Sequence, residues 1–85
     1  MSKPKITIYS TATCVYCHML KSYLKQNGFD FQVKMADEDP KLAQELYDKS
    51  GQLGVPFSIV ETENGKEVSI LGFDKPKFDV ALGLA

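Results

Sequence analysis

Over the first 35 residues the hydrophobic pattern changes period twice, and this change constrains the fold more than any other feature of the sequence. Lys5–Ser10 (KITIYS) alternates apolar and polar side chains, with the β-branched and aromatic types that are typical of strands. From Cys14 the apolar residues recur at helical spacing, until Asn27-Gly28 ends the pattern. Alternation returns over Phe29–Met35 (FDFQVKM) and predicts a second strand. The predicted inward face of the helix consists of Val15, Met19, Leu20, Tyr23 and Leu24.

A second helix is predicted after Met35. Asp39 and Pro40 form a helix-start signal, because aspartate caps free backbone N–H groups and proline is tolerated in the first turn. This helix is expected to end near Ser50-Gly51. Its predicted inward residues are Leu42, Ala43, Leu46 and Tyr47.

The next two apolar segments predict a hairpin. Phe57–Glu61 and Glu67–Leu71 flank a short connection that contains Asn64-Gly65, the strongest short-range turn pair for antiparallel strands. The two strands are therefore expected to pair with each other.

A last helix is predicted from Asp74 and Pro76 through Leu82, which completes the element order βαβαββα in a single domain, residues 1–85. Where strands and helices alternate, the connection rules imply parallel strands joined by a right-handed crossover. The closing hairpin adds an antiparallel portion. The sequence therefore predicts an α/β fold with a mixed sheet and helices on its faces.

Composition narrows the class of protein and its partners. Apolar residues make up 44% of the chain and charged residues 25%, as in ordinary globular proteins, and we expect a monomer. The net charge is −1 with no basic run, which argues against a nucleic-acid partner. The start of the chain lacks a signal-peptide pattern, and no apolar stretch is long enough to span a bilayer. We therefore expect a cytoplasmic protein with no membrane association.

Residues 14–18 (CVYCH) fit three different chemistries: a thiol–disulfide centre, half of a zinc site, or the attachment string of a covalent haem. Haem is disfavoured, because the apolar residues already account for the sheet and helix faces and no export signal is evident. A structural zinc site needs about four ligands, and the sequence offers Cys14, Cys17, His18 and scattered carboxylates without a second ligand pair. No metal site is predicted.

The thiol–disulfide interpretation uses the placement of both cysteines. A cysteine at a helix start lies near unpaired backbone N–H groups and the positive end of the helix dipole, which favour the attacking thiolate. Cys17, three residues later, lies on the same helical face. We therefore predict Cys14 as the nucleophile and Cys17 as the resolving thiol. Two inert, half-buried cysteines are the alternative.

The residues next to the cysteines have separate expected roles. Tyr16 is expected to flank a docked substrate, whereas His18 is expected to point to solvent.

Three segments together resemble the glutaredoxins, which are small members of the thioredoxin superfamily. They are ITIYSTATCVYCHMLKSYL, SGQLGVPFSIV and GFD before the last helix, and they span nearly the whole chain. The resemblance implies a thioredoxin-like fold with a four-stranded mixed sheet and three helices. It also implies an enzyme that reduces protein disulfides or glutathione mixed disulfides, without a tightly bound cofactor.

The resemblance further implies a substrate site. In the family the proline equivalent to Pro56 is cis and lies across from the cysteines, and the residue before it, here Val55, pairs its backbone with the substrate. Gly72, Phe73 and Asp74 match the loop that receives the glutamyl end of glutathione. Together with Thr11 and Tyr16, these residues form the predicted substrate-binding set.

Several positions depart from the glutathione-using members. A lysine is usual where Thr11 stands, and a Gly-Gly pair and a second acidic residue are usual where this chain has Leu71-Gly72 and Lys75. The departures, with Val15 in place of proline, resemble the glutaredoxin-like redoxins of the NrdH type. Those redoxins take electrons from thioredoxin reductase and deliver them to ribonucleotide reductase. Glutathione and thioredoxin reductase are therefore both candidate electron donors, and ribonucleotide reductase is a candidate electron acceptor.

Two other functions use the same cysteines. The chain could be a redox-sensitive binding module that holds a partner in the Val55-Pro56 groove. It could also be an iron–sulfur carrier, since some glutaredoxins bridge a cluster between two chains.

Overall fold

The computed structural model describes residues 4–62 and 65–84. It contains seven elements in the predicted order βαβαββα. The predicted turn residue Asn64 lies outside the described residues. The elements are β1 (Lys5–Ser10), α1 (Val15–Gln26), β2 (Gln32–Met35), α2 (Pro40–Ser50), β3 (Phe57–Glu61), β4 (Glu67–Leu71) and α3 (Lys75–Leu82).

The four strands form one mixed sheet in the order β2-β1-β3-β4, which confirms the thioredoxin-like α/β architecture. Strand β1 pairs with β2 in parallel and with β3 in antiparallel orientation, and β3 pairs with β4 as the predicted antiparallel hairpin. Because β1 is central and has helices on both sides, its second half is fully buried, including the polar Ser10.

The side of the sheet covered by α1 and α3 carries the larger core. Ile6 and Ile8 of β1 pack there with Leu20 and Leu24 of α1 and with Phe78 of α3. Burial of such side chains contributes roughly 1.5–3 kcal/mol each, so this cluster supplies much of the force that holds α1 against the sheet.

Only part of the predicted inward face of α1 is buried. The buried residues are Cys17, Leu20 and Leu24, whereas Val15 is 67% exposed and Met19 is 47% exposed. The prediction was wrong for Val15 and Met19 because the buried stripe begins at Cys17, and both residues lie to the side of it. Cys17, which the pattern did not assign to the inward face, is thus the first buried residue of the helix.

The end of α1 explains why β2 is shorter than predicted. Gly28 has a left-handed backbone (φ 77°), and its N–H donates to Lys25 O at 3.1 Å. The next N–H, that of Phe29, donates to Leu24 O at 3.0 Å. Phe29 therefore completes the helix C-terminal motif and cannot use the same N–H in the sheet. Pairing with β1 begins only at Gln32.

On the other side of the sheet, α2 begins as predicted, with Asp39 accepting a hydrogen bond from Lys41 N–H at 2.9 Å. Leu46 is the buried residue of α2 and packs with Tyr9 and Phe57. Tyr47 was predicted to point inward but is 52% exposed. Of the other predicted inward residues, Leu42 and Ala43 are half-buried, so Leu46 marks the centre of the face that α2 turns to the sheet.

Tyr9 is also tied to α2 through its hydroxyl. It donates a hydrogen bond to Glu45, which also accepts from Lys34 Nζ of β2 at 2.8 Å. Lys34 Nζ lies 5.5 Å from the centre of the Tyr9 ring. Burial, followed by the hydrogen bond to Glu45, raises the pKa of Tyr9. The hydrogen bond from Lys34, followed by that from Tyr9, lowers the pKa of Glu45.

Within residues 4–62 and 65–84, no helix is both long and apolar enough to cross a membrane.

Candidate active site

The two cysteines lie between the end of β1 and the first turn of α1. Cys14 immediately precedes α1, with extended backbone angles (φ −83°, ψ 108°), and its Sγ accepts a hydrogen bond from Cys17 N–H at 3.2 Å. Cys14 thus caps the helix, because the first N–H groups of a helix have no partner within it. This confirms the prediction that Cys14 lies at a helix start.

Cys14 and Cys17 form a disulfide, with their Cα atoms 5.2 Å apart. Cys17 is 0% exposed because it lies on the face of α1 that packs on the core, whereas Cys14 is only half-buried. Cys14 is therefore the cysteine that an incoming thiol or disulfide can reach.

A groove of about 570 Å³ reaches Tyr16, which stands between the two cysteines in the sequence. It brings together six of the seven residues predicted to bind substrate, and the Val55-Pro56 peptide bond in its wall is cis, as expected. The lining residues are Tyr16, Val55, Pro56, Leu71, Gly72, Phe73, Asp74, Lys75 and Pro76.

Gly72 connects the two walls of this groove. Its N–H donates a hydrogen bond to Pro56 O at 2.7 Å, which fixes the loop after β4 against the cis-proline loop. Gly72 has a left-handed backbone (φ 76°), a conformation that side-chain-bearing residues adopt at a cost. A glycine is thus required where the chain turns from β4 toward α3.

One acidic and one basic side chain line the end of the groove. Asp74 caps α3 by accepting a hydrogen bond from Lys77 N–H at 3.4 Å, and its carboxylate lies 3.9 Å from Lys77 Nζ. The next residue, Lys75, also lines the groove. A substrate at this end therefore meets one carboxylate and one ammonium group, rather than two carboxylates.

Phe73 is held in the groove wall by aromatic neighbours. Its ring lies 5.6 Å from the ring of Tyr23 in α1 and 6.4 Å from that of Phe78 in α3. The Tyr23 hydroxyl donates a hydrogen bond to Asp79, which also accepts from Lys75 Nζ at 3.1 Å. Lys75 Nζ in turn lies 5.6 Å from the centre of the Tyr23 ring.

This network affects the ionisation of its members. Burial, followed by the hydrogen bond to Asp79, raises the pKa of Tyr23 to about 12. The hydrogen bond from Tyr23, followed by that from Lys75, lowers the pKa of Asp79. The phenol therefore stays neutral and the carboxylate stays charged near neutral pH, so the link between α1 and α3 is preserved.

The loop before Cys14 is anchored from two directions. Thr11 O accepts hydrogen bonds from Cys14 N–H at 3.4 Å and from the Ser10 hydroxyl at 3.3 Å. Ala12 N–H donates to an Asp37 carboxylate oxygen at 3.0 Å. Thr11 thus lies in the cysteine loop and not among the groove-lining residues, and its predicted contact with substrate stays a prediction.

Four residues of the site were not in the predicted set. Leu71, Lys75 and Pro76 line the groove. Leu71 and Lys75 had been noted as departures from the glutathione-using members, whereas the sequence signal for Pro76 was its position next to Gly72–Lys75. Asp37 was missed because nothing in the pattern of a loop predicts which distant N–H a carboxylate will accept from.

His18, next to Cys17 in the sequence, is exposed, as expected. No three His, Cys, Asp or Glu side chains among residues 4–62 and 65–84 come together as a metal site.

Comparison with known proteins agrees with this geometry. Residues 6–62 match the family model described as glutaredoxin. A glutaredoxin of Pseudomonas aeruginosa is 43% identical over 63 residues, which cover 73% of this chain and 75% of that protein. A glutaredoxin-like 8.6 kDa protein encoded in the rubredoxin operon of Clostridium pasteurianum is 40% identical over 75 residues, or 87% of this chain and 92% of the relative.

A solved structure supports the same assignment. The glutaredoxin-like protein NrdH-redoxin from Escherichia coli, described as having a thioredoxin-like activity profile, superposes with a TM-score of 0.74 at 29% identity. The match covers 89% of this chain and 92% of that one. From its sequence, its fold and its Cys-x-x-Cys pair, the chain belongs to the glutaredoxin family of redox proteins.

Proposed function

We propose that the chain is a thiol–disulfide oxidoreductase in which Cys14 attacks the substrate and Cys17 resolves the intermediate. The observation that carries this proposal is the contrast between the two sulfurs. Cys14 is accessible and its Sγ accepts a backbone N–H from the first turn of α1, whereas Cys17 is fully buried. A sulfur that already accepts a hydrogen bond at a helix N-terminus is favoured as thiolate, and thiolate is the attacking form.

The reaction begins with both cysteines reduced. The Cys14 thiolate attacks one sulfur of the substrate disulfide; a Cys14–substrate disulfide forms, and the other substrate sulfur leaves as a thiolate that takes a proton from water. The Cys17 sulfur, after losing its proton to water, then attacks Cys14 Sγ. The second substrate thiolate leaves, and two electrons have passed from the dithiol to the substrate. The product is the Cys14–Cys17 disulfide observed in the structure.

The groove supplies the substrate contacts in this proposal. In this proposal the backbone of Val55, which precedes the cis-proline and lines the groove, pairs with an extended substrate chain. Tyr16 and Phe73 offer aromatic surface on either side, and Tyr16 is 62% exposed. Gly72 and Asp74 present a backbone and a carboxylate at the far end, while Thr11 is adjacent to Cys14 through the cysteine loop.

Two electron donors are candidates, glutathione as a co-substrate and thioredoxin reductase. Lys75 at the end of the groove favours the second, because it places a positive charge where a glutathione site would gain from a negative one. The likeness to NrdH-redoxin supports the same choice, and with it ribonucleotide reductase as an acceptor. A reducing cytoplasm suits a pair of cysteines that cycles between dithiol and disulfide.

Cysteine substitutions test the proposed roles. Cys17→Ser should still attack substrate but accumulate a mixed disulfide on Cys14, which intact-protein mass spectrometry detects as an adduct. Cys14→Ser should show neither adduct nor turnover. In the reduced wild-type protein, iodoacetamide should alkylate Cys14 before Cys17. Equal turnover by the two variants, or faster alkylation of Cys17, would contradict the assignment.

The donor is tested separately. Oxidised protein is incubated either with glutathione, glutathione reductase and NADPH, or with thioredoxin reductase and NADPH. We expect faster NADPH consumption with thioredoxin reductase, and faster consumption with glutathione would refute that part of the proposal. Lys75→Glu, which restores the usual negative charge, should shift the preference toward glutathione.

A further inference from the structure

A second groove, of about 530 Å³, runs along the outer face of α1. Val15, Met19, Ser22 and Gln26 line it along the helix. Phe73 and Lys75 form its other wall, and both of these residues also line the groove beside the cis-proline, the proposed substrate groove. The α1 groove therefore adjoins the substrate groove, with Phe73 and Lys75 between them.

The α1 groove presents apolar side chains that the fold itself does not use. Val15 is 67% exposed and Met19 is 47% exposed, and both lie beside the buried stripe of α1. Neither is needed to attach the helix, because Cys17, Leu20 and Leu24 already do so. Exposed apolar residues that form one surface beside a reactive cysteine indicate binding of a partner chain.

The length of the α1 groove indicates what kind of chain could fill it. Gln26 lies eleven helical steps after Val15, and at 1.5 Å per step the groove extends for about 16 Å. An extended chain needs about five residues to cover that distance. A tripeptide such as glutathione, bound in the substrate groove, is too short to occupy the α1 groove as well.

Charge gives the α1 groove a preference. Helix α1 and residues 74–82 together carry four lysines and two aspartates. Lys75, whose Nζ lies 3.1 Å from Asp79, is the charged residue that lines both grooves, whereas Lys21 and Lys25 lie outside the α1 groove lining. In contrast, residues 36–50 carry five acidic residues and two lysines. The positive side of the molecule is therefore the side of the α1 groove, which favours an acidic partner chain.

We propose that the α1 groove binds the segment of a protein substrate that flanks its reactive cysteine, and that this segment is apolar and acidic. The inference rests on the proposed function, because the flanking chain is delivered when Cys14 attacks the substrate sulfur. It identifies the substrate class as a protein disulfide with extended surroundings, rather than a small disulfide.

The test uses two eleven-residue peptides with a central cysteine, each linked by a disulfide to 2-nitro-5-thiobenzoate, so that the five residues on one side of the cysteine are long enough to cover the α1 groove. In one peptide leucine and glutamate alternate on both sides of the cysteine, with leucine next to it; the other has serine and lysine at those positions. The Cys14 thiolate of the reduced protein attacks the peptide sulfur, a Cys14–peptide disulfide forms, and the coloured nitrothiobenzoate thiolate leaves. Stopped-flow absorbance gives a second-order rate constant for each peptide.

We expect the wild-type protein to react about tenfold faster with the leucine–glutamate peptide, the scale of one lost apolar contact. Met19→Glu should remove most of this preference, because it replaces an apolar contact with a carboxylate that repels glutamate and attracts lysine. Ser22→Glu, at an exposed position of the same groove, should reduce the preference about threefold. Val80→Glu is the matched control, since Val80 is an exposed apolar residue of α3 outside both grooves (73% exposed) and should leave the preference unchanged.

Equal rates of the wild type with both peptides would overturn the proposal, and so would equal effects of Met19→Glu and Val80→Glu. If Met19→Glu lowers the melting temperature, Ser22→Glu replaces it in the comparison, and equal effects of Ser22→Glu and Val80→Glu on the peptide preference would then overturn the proposal. Failure of the proposed function would look different, because the wild-type protein would then also fail to reduce bis(2-hydroxyethyl) disulfide, which occupies neither groove at length.

Discussion

Two networks of the same three residue types lie on opposite sides of the sheet. In each, a tyrosine hydroxyl donates to a carboxylate, the carboxylate pairs with a lysine, and the lysine lies over the tyrosine ring. The distances from Nζ to the ring centre are 5.5 Å for Lys34 over Tyr9 and 5.6 Å for Lys75 over Tyr23. The difference between the networks lies in what surrounds them.

Tyr9 is fully buried in the central strand and packs with Phe57 and Leu46, so its network attaches α2 to the sheet. Tyr23 is half-buried, and its ring packs on Phe73, which lines both grooves. The same chemistry therefore serves the stability of the fold in one place and the shape of the proposed substrate groove in the other. Four predictions can break or sharpen this contrast.

The largest expected effect comes from Tyr9→Ala, which removes a fully buried aromatic side chain and should lower the free energy of unfolding by about 3–5 kcal/mol. Tyr23→Ala should cost less, because the Tyr23 side chain is partly exposed and leaves a smaller cavity. Urea unfolding followed by circular dichroism measures both. A larger loss for Tyr23→Ala would break the contrast.

Tyr9→Phe isolates the hydroxyl. It keeps the ring and removes the hydrogen bond to Glu45, which we expect to cost about 1–2 kcal/mol of unfolding free energy, because the acceptor is charged. Glu45 keeps its bond to Lys34, so the carboxylate is not left without a partner. The same urea titration measures the change, and an unchanged midpoint would show that the hydroxyl bond contributes nothing net.

Tyr23→Phe should separate the two networks by their effect on turnover. Without the bond to Asp79, the contact between α1 and α3 loosens and Phe73 loses a fixed neighbour. We expect a rise of about threefold in KM for a protein disulfide such as insulin, with kcat little changed. Tyr9→Phe is the control and should leave KM unchanged. An equal rise in both variants would show that KM follows overall stability.

The smallest effect concerns acid stability. The pKa values of Glu45 and Asp79 are lowered from the usual 4.5 and 3.8. Each charged carboxylate therefore stabilises the fold when the pH is above its usual pKa. That stabilisation is lost as the pH falls through the lower pKa values of the folded protein. As the pH is lowered from about 5 to about 2, the melting temperature of the wild type should therefore fall more steeply than that of Glu45→Gln or Asp79→Asn. Parallel curves of melting temperature against pH would show that the two carboxylates do not stabilise the fold through their lowered pKa values.

Much of the fold could be predicted because local signals and tertiary packing agree. The strands β1, β3 and β4 have the predicted bounds, and Cys14, Asp39 and Asp74 occupy the predicted positions before their helices. A cap residue or a change of period acts within one turn or one strand, so the sequence displays it directly.

The remaining features depend on partners that are distant in the sequence. The shorter β2 follows from an N–H that Phe29 gives to α1, and the exposure of Met19 follows from the choice of Cys17 for the core. The site shows the same division. The cysteines could be placed from their spacing, and the cis bond before Pro56 from the family resemblance, whereas the Tyr23, Asp79 and Lys75 network joins two helices that no sequence pattern connects.

The way α1 ends also protects the sheet. Because Phe29 completes the helix motif, β2 is an edge strand of only four residues, Gln32–Met35. A short edge strand exposes few free backbone donors and acceptors, and a neighbouring molecule finds little to extend as a shared sheet. The glycine at position 28 therefore helps to keep separate molecules from aggregating through this edge.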